Sequence, residues 1–172
     1  MANTFIKIET VTVGSGGAAS INFTSIPQTY TDLKLVMSTR DAYAGVFDGI
    51  KITFNSNTTN YSWRYAEGSG TGVSSGNDSS QAFGIVGIGT GASATASVFG
   101  SGEVYIPNYT SANNKSFSTD AVSENNAASA LAQIWANLWA NSAAITSISI
   151  FPYQSVNFNQ YSTATLYGIK SS

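Results

Sequence analysis

The chain has 172 residues, enough for one domain with a substantial core, and only 9% of them are charged, against about 25% in an average soluble protein. It contains no cysteine and no histidine, which removes disulfides, thiolate nucleophiles, the usual zinc sites and imidazole acid–base chemistry together. The formal net charge is -2 and the seven cations are scattered, so electrostatic binding to nucleic acid is disfavoured.

In chain order, residues 5–13 are rich in β-branched side chains and run into GSGGAA, a turn. Residues 20–25 read as a short strand stopped by Pro27. In residues 32–40, Leu33, Leu35 and Met37 alternate with Lys34, Val36 and Ser38, the pattern of a half-buried strand. Residues 49–55 repeat it with Ile50, Ile52 and Phe54 on one face, followed by NSNTTN, which is turn chemistry. Residues 61–67 (YSWRYAE) place Tyr61, Trp63 and Tyr65 on one face of a strand, and residues 68–80 (GSGTGVSSGNDSS) read as a flexible loop.

Residues 81–89 are apolar but broken by glycine. Residues 97–107 form a strand closed by Pro107, and residues 115–123 form another. Residues 125–141 (NNAASALAQIWANLWAN) fit two periods. Leu131, Ile134, Trp135, Leu138 and Trp139 suit a helix, whereas Trp135, Asn137 and Trp139 set against Ile134, Ala136 and Leu138 suit a strand; the all-β context favours the strand. The C-terminal residues 143–169 hold two strands around a loop, with Thr146, Ile148 and Ile150 on one face, a break at Pro152 and a closing alternating run from Tyr161 to Ile169. That pair is expected to lie inside the sheets as a central staple. The sum is an all-β, single-domain antiparallel β-sandwich, jelly-roll-like, of nine or ten short strands.

Local motifs add little chemistry. Gly14, Gly16 and Ala19 match a loose dinucleotide pattern, but a strand follows them where a helix is required. Gly72, Ser74 and Gly76 match a nucleophile elbow without any histidine to serve it. The acids, among them Asp41, Asp48, Glu67, Glu103, Asp120 and Glu124, show no glycosidase spacing. Asp48, Asn55, Asn57 and Asp78 lack the ligand spacing of a calcium loop. The expectation is a protein that is not an enzyme and takes no cofactor or metal. Trp63, Tyr65, Trp135 and Trp139 are the candidate partner or glycan contacts, being the side chains best able to stack on a sugar or anchor an interface. The N-terminal MANTFIKIETVTV does not read as a signal peptide, and no apolar run approaches the roughly 20 residues that span a bilayer, so a soluble protein made in the cytoplasm is expected.

The segments SIPQTYTDLKLVMSTRD (residues 25–41), ITFNSNTTNYS (52–62), VYIPNYTSANNKSF (104–117), AAITSISIF and STATLYGI together resemble a family of small virion structural proteins of tailed bacteriophages. The likeness covers most of the chain, and residues 68–96 depart furthest from it. It implies a jelly-roll-like sandwich on the particle surface, as a capsid decoration or cement protein bound to the major capsid protein or other virion proteins, or alternatively as a tail-fibre or spike module that grips host surface glycans. No catalytic residue comes with it. A homo-oligomer, a trimer, with neither nucleic acid nor membrane as partner, is the expected assembly.

Overall fold

Alternation at period two makes a strand only where a neighbour shares its hydrogen bonds and a second layer covers its apolar face. The computed structural model describes residues 4–126 and 129–170, and shows where both conditions are met. Among the described residues there is no helix, and twelve strands follow in order: β1 (Phe5–Thr12), β2 (Ile21–Phe23), β3 (Asp32–Thr39), β4 (Phe47–Phe54), β5 (Tyr61–Gly68), β6 (Val73–Gln81), β7 (Gly84–Thr90), β8 (Gly100–Ile106), β9 (Lys115–Ser123), β10 (Leu131–Trp139), β11 (Ile148–Pro152) and β12 (Thr163–Ile169). Twelve replaces the nine or ten expected from sequence.

Eight of these strands nest like a hairpin folded back along its length. β1 pairs with β12, β2 with β11, β3 with β8 and β4 with β7, all antiparallel. Successive pairs fall in alternate sheets, giving β1-β12-β3-β8 in one and β2-β11-β4-β7 in the other, which is the jelly-roll plan. The two C-terminal strands are interior in both sheets, β12 between β1 and β3, β11 between β2 and β4. Two hairpins are added to this frame, β5–β6 and β9–β10. Both extend the first sheet, whose full order is β1-β12-β3-β8-β9-β10-β5-β6.

One core cluster lies between the sheets. Leu33, Leu35 and Met37 of β3, Val104 and Ile106 of β8 and Leu166 of β12 meet Ile50, Ile52 and Phe54 of β4 and Ile148 and Ile150 of β11. Each fully buried side chain of this kind contributes roughly 1.5–3 kcal/mol. Asn55, at φ 54°, ties the loop before β11 to the end of β4. Its Oδ1 accepts from the Thr146 and Ser147 N–H groups, and its Nδ2 donates to the Ala144 carbonyl. Arg40 does the same for residues 92–98, its guanidinium donating to the carbonyls of Ala92, Ala94, Thr95 and Val98.

The strands depart from the sequence reading at three places. Residues 68–80, expected as a loop, contain most of β6; a turn with the Ser69 N–H on the Gly72 carbonyl sends the chain back along β5. An edge strand needs backbone pairing on one side and no buried face, so its polar sequence gave no alternation to read. Pro152 does not break the β11 pairing but closes it, opposite Ile50, at a strand end where a missing N–H costs nothing. Thr146 stands outside β11 and is exposed, while Ile145 takes the buried place.

Within residues 125–141, the strand wins over the helix. Gln133, Trp135, Asn137 and Trp139 point inward and Ala132, Ile134 and Ala136 outward. The buried Asn137 would be costly alone, but its Nδ2 donates to the Ile85 carbonyl (2.8 Å) and its Oδ1 accepts from the Ile85 N–H (3.1 Å). Ala127 and Ala128 of that segment lie outside the described residues, as do Met1 to Asn3 and Ser171 and Ser172.

Candidate binding groove

The first sheet has eight strands and the second four, so one half of the larger sheet overhangs its partner. The last strand of the smaller sheet, β7, packs across β8, β9 and β10 and only grazes β5. Beyond that line the inward-facing side chains of β5, and those of β10 beside them, are covered incompletely by the facing sheet. There the chain places aromatic rings, an amide and a carboxylate, and they border a groove of about 410 Å³.

Tyr65 and Trp135 are directly opposite on β5 and β10 and stack, with ring centroids 4.5 Å apart at 27°. Trp63 meets Trp135 edge-on at 5.3 Å. Trp135 is nearly buried behind the other two, which are half-buried. On the neighbouring strand β6, Gly76 lies opposite Tyr65, and a Cβ there would come within 2.7 Å of the ring. Glycine at 76 therefore lets the tyrosine lie flat across the strand. The Trp63 indole N–H is buried and has no acceptor.

A hydrogen-bonded chain sets the polar end. Trp135 Nε1 donates to Gln133 Oε1 (3.0 Å), Gln133 Nε2 donates to Glu67 Oε2 (2.8 Å), and Ser74 Oγ donates to Glu67 Oε1 (2.8 Å). Glu67 and Gln133 are themselves a cross-strand pair. Each group fixes the rotamer of the next, so the carboxylate and amide are held before any ligand arrives. The opposite wall is formed by Phe47 and Tyr153, the latter 44% exposed and packed over Gly49, and β7 contributes Ile85 and Ile88.

Of the four aromatic candidates from sequence, three come together here and one does not. Trp139 is 1% exposed, packed edge-on to Phe54 and stacked on Tyr61 inside the core, so it presents no surface to a partner. Glu67, Gln133 and Tyr153 were missed. The first two lie two residues from Tyr65 and Trp135 on the same strand faces, so the period-two rule places them there once the aromatics are taken as a site.

Glu67 is the single carboxylate lining the groove, whereas hydrolysis of a glycosidic bond by the usual route takes two. The arrangement is built to stack and hydrogen-bond. The carboxyls that burial raises are elsewhere: the Asp41 carboxyl is pushed up to about 7, Asp48 and Asp120 are raised, and none of the three lines the groove. Gly14 and Gly16 precede β2 and no helix, and Gly72 to Gly76 lie in the β5–β6 hairpin. Among the described residues, no three His, Cys, Asp or Glu side chains gather as a metal site.

The sheet edges differ in their protection. β2 is three residues long, β1 carries Lys7 and Glu9 and a bulge, and β7 has its backbone at Ile85 capped by Asn137. β6 runs nine residues along the free edge, paired only with β5, and bears one charge, Asp78. No family model, no curated protein and no solved structure matches the chain.

Proposed function

We propose that this chain is a non-enzymatic structural protein of a tailed-bacteriophage particle, a capsid decoration or cement protein that binds the assembled head from outside. The observation that carries this reading is the unprotected edge of β6. Its outward N–H and C=O groups offer a partner's extended segment a row of hydrogen bonds. Its mostly Ser, Gly and Asn residues let that segment approach with one charge, Asp78, to desolvate, a cost that surface ion pairs seldom repay.

Binding to the assembled lattice and not to free capsid subunits stabilises the shell by mass action, about 2.7 kcal/mol per site at a hundredfold excess over Kd. A homo-trimer seated on a local threefold of the head is the matching assembly. The resemblance to virion proteins of tailed phages supports the location, and the sparse charge suits a particle exterior. The experiment is binding to heads stripped of this protein, comparing the parent with a Ser75→Lys, Asn77→Lys double variant whose lysines blunt the edge. The parent is expected to bind and to raise the temperature of DNA release. Equal binding by the variant, or an unchanged release temperature, contradicts the reading.

A second reading, a tail-fibre or spike module that grips host glycans, is favoured by the aromatic groove. Copy number separates the two. A simple lattice ratio to the major capsid protein supports decoration, and a few tens of copies or fewer support the fibre.

A further inference from the structure

We infer that the groove between the overhanging strands β5 and β10 and the edge strand β7 is a carbohydrate site that takes a neutral, pyranose-containing glycan. The inference rests on the groove alone and holds for a head protein or a fibre module alike.

A pyranose ring has an apolar C–H face and a rim of hydroxyls, and a site for it needs a fixed aromatic plane beside fixed polar groups. Both are present. Trp63 and Tyr65 are half-buried, so each keeps part of its ring open, and Trp135 behind them holds their orientation. Tyr153, 44% exposed, faces the same space from the opposite wall.

At the polar end, Glu67 receives one hydrogen bond on each oxygen, and a carboxylate has further lone pairs for sugar hydroxyls. Gln133 is locked between Trp135 and Glu67, so the rim contacts cost little ordering on binding. A volume near 410 Å³ sits within the roughly 300–1,000 Å³ typical of small-ligand sites, room for a short oligosaccharide.

Charge selects the class. Glu67 is the one ionisable carboxylate in the lining and repels a uronate or sialate; Lys51 does not line the groove, its ammonium lying over the Phe83 and Tyr153 rings at 4.7 and 4.6 Å. An acyl chain or apolar peptide would strip water from the Glu67 carboxylate and offer no donor to the lone pairs that Ser74 and Gln133 leave open.

The test is an array of neutral hexose and N-acetylhexosamine oligosaccharides beside uronic-acid and sialylated ones, probed with the purified full chain, then calorimetry on the best neutral glycan. Retention of neutral glycans is expected, with saturation transfer from the Trp63 and Tyr65 rings to the sugar protons in the unaltered protein. Tyr153→Ala and Glu67→Gln should each weaken binding about tenfold, a loss of about 1.4 kcal/mol, and Tyr161→Ala, 67% exposed and outside the groove, should not. No signal on the array, a signal confined to acidic glycans, or Tyr153→Ala and Glu67→Gln variants that bind as tightly as the parent overturn the inference. Head binding by β6 is read in a separate assay, so either result stands without the other.

Discussion

Trp139 and Trp63 occupy paired strands, point to the same side of the same sheet and stand a few residues from each other across the β5–β10 ladder, yet one is core and the other borders a groove. The cause is the opposing layer. Trp139 lies where Phe54 of β4, in the facing sheet, packs edge-on against it, with Tyr61 stacked alongside. Trp63, Tyr65 and Trp135 lie at the margin of the smaller sheet, across a groove from Ile85 and Ile88 of its last strand, and the facing layer leaves Trp63 and Tyr65 half-buried. Inward orientation is set by the period of the strand, but burial is set by how wide the facing sheet is. An uneven pair of sheets turns would-be core into a binding surface without any change in local sequence rules.

Four predictions test that contrast, from the largest effect downward. Trp139→Ala should lose about 3–5 kcal/mol in urea unfolding, because a large ring leaves a cavity that packed neighbours cannot fill. A loss near zero would place it, too, outside the core.

The core half also hides carboxyls, and this makes its stability depend on pH. Asp41 is fully buried, with Oδ1 accepting from the Tyr43 N–H and Oδ2 unpartnered. Burial raises its pKa from 3.8 to about 7, with Asp48 adding to the rise and the Tyr43 N–H and Arg40 opposing it. A carboxyl raised on folding binds its proton more tightly in the native state. Its stabilisation is therefore complete below about pH 4 and is lost as pH climbs to about 7, on the order of 4 kcal/mol at 1.36 kcal/mol per unit. Asp48, also raised by burial, tilts the slope the same way. Asp41→Asn should flatten most of that fall in chemical denaturation across pH 4–8; an unchanged slope would mean that Asp41 is not the group.

Asn137→Ala should cost about 2–3 kcal/mol, since both backbone groups of Ile85 lose their partner. It should also loosen β7 against the overhang, seen as faster amide exchange at Ile85. The smallest effect belongs to the groove. Trp63→Phe should fall within about 1 kcal/mol of the parent and toward greater stability, because it removes a buried N–H that has no acceptor while keeping an aromatic ring. A loss as large as that of Trp139→Ala would erase the distinction between the two tryptophans.

Much of the frame was legible in the residues. The Leu33-Leu35-Met37, Ile50-Ile52-Phe54 and Ile148-Ile150 alternations mark strands that the core does bury, and the terminal run to Ile169 does sit inside a sheet. Residues 125–141 read as either period and the all-β context favoured the strand; in the strand that forms, the Asn137 amide pairs with both backbone groups of Ile85. β6 was not legible, because VSSGNDSSQ is held by β5's backbone and buries almost nothing of its own. The site was half legible. Trp63, Tyr65 and Trp135 stand out by type, but nothing in the sequence distinguishes them from Trp139, since the width of the opposing sheet is a property of topology. Glu67 and Gln133 look like ordinary polar residues until the cross-strand register pairs them.

The most direct measurement is hydroxyl-radical footprinting of the native protein read residue by residue by mass spectrometry. The uneven-sheet account predicts that Trp63, Tyr65 and Tyr153 are oxidised while Trp139 and Tyr61 are protected until the protein unfolds. Equal protection of Trp63 and Trp139 would mean that the overhang is covered, and equal oxidation would mean that the core is not closed; either would contradict the account.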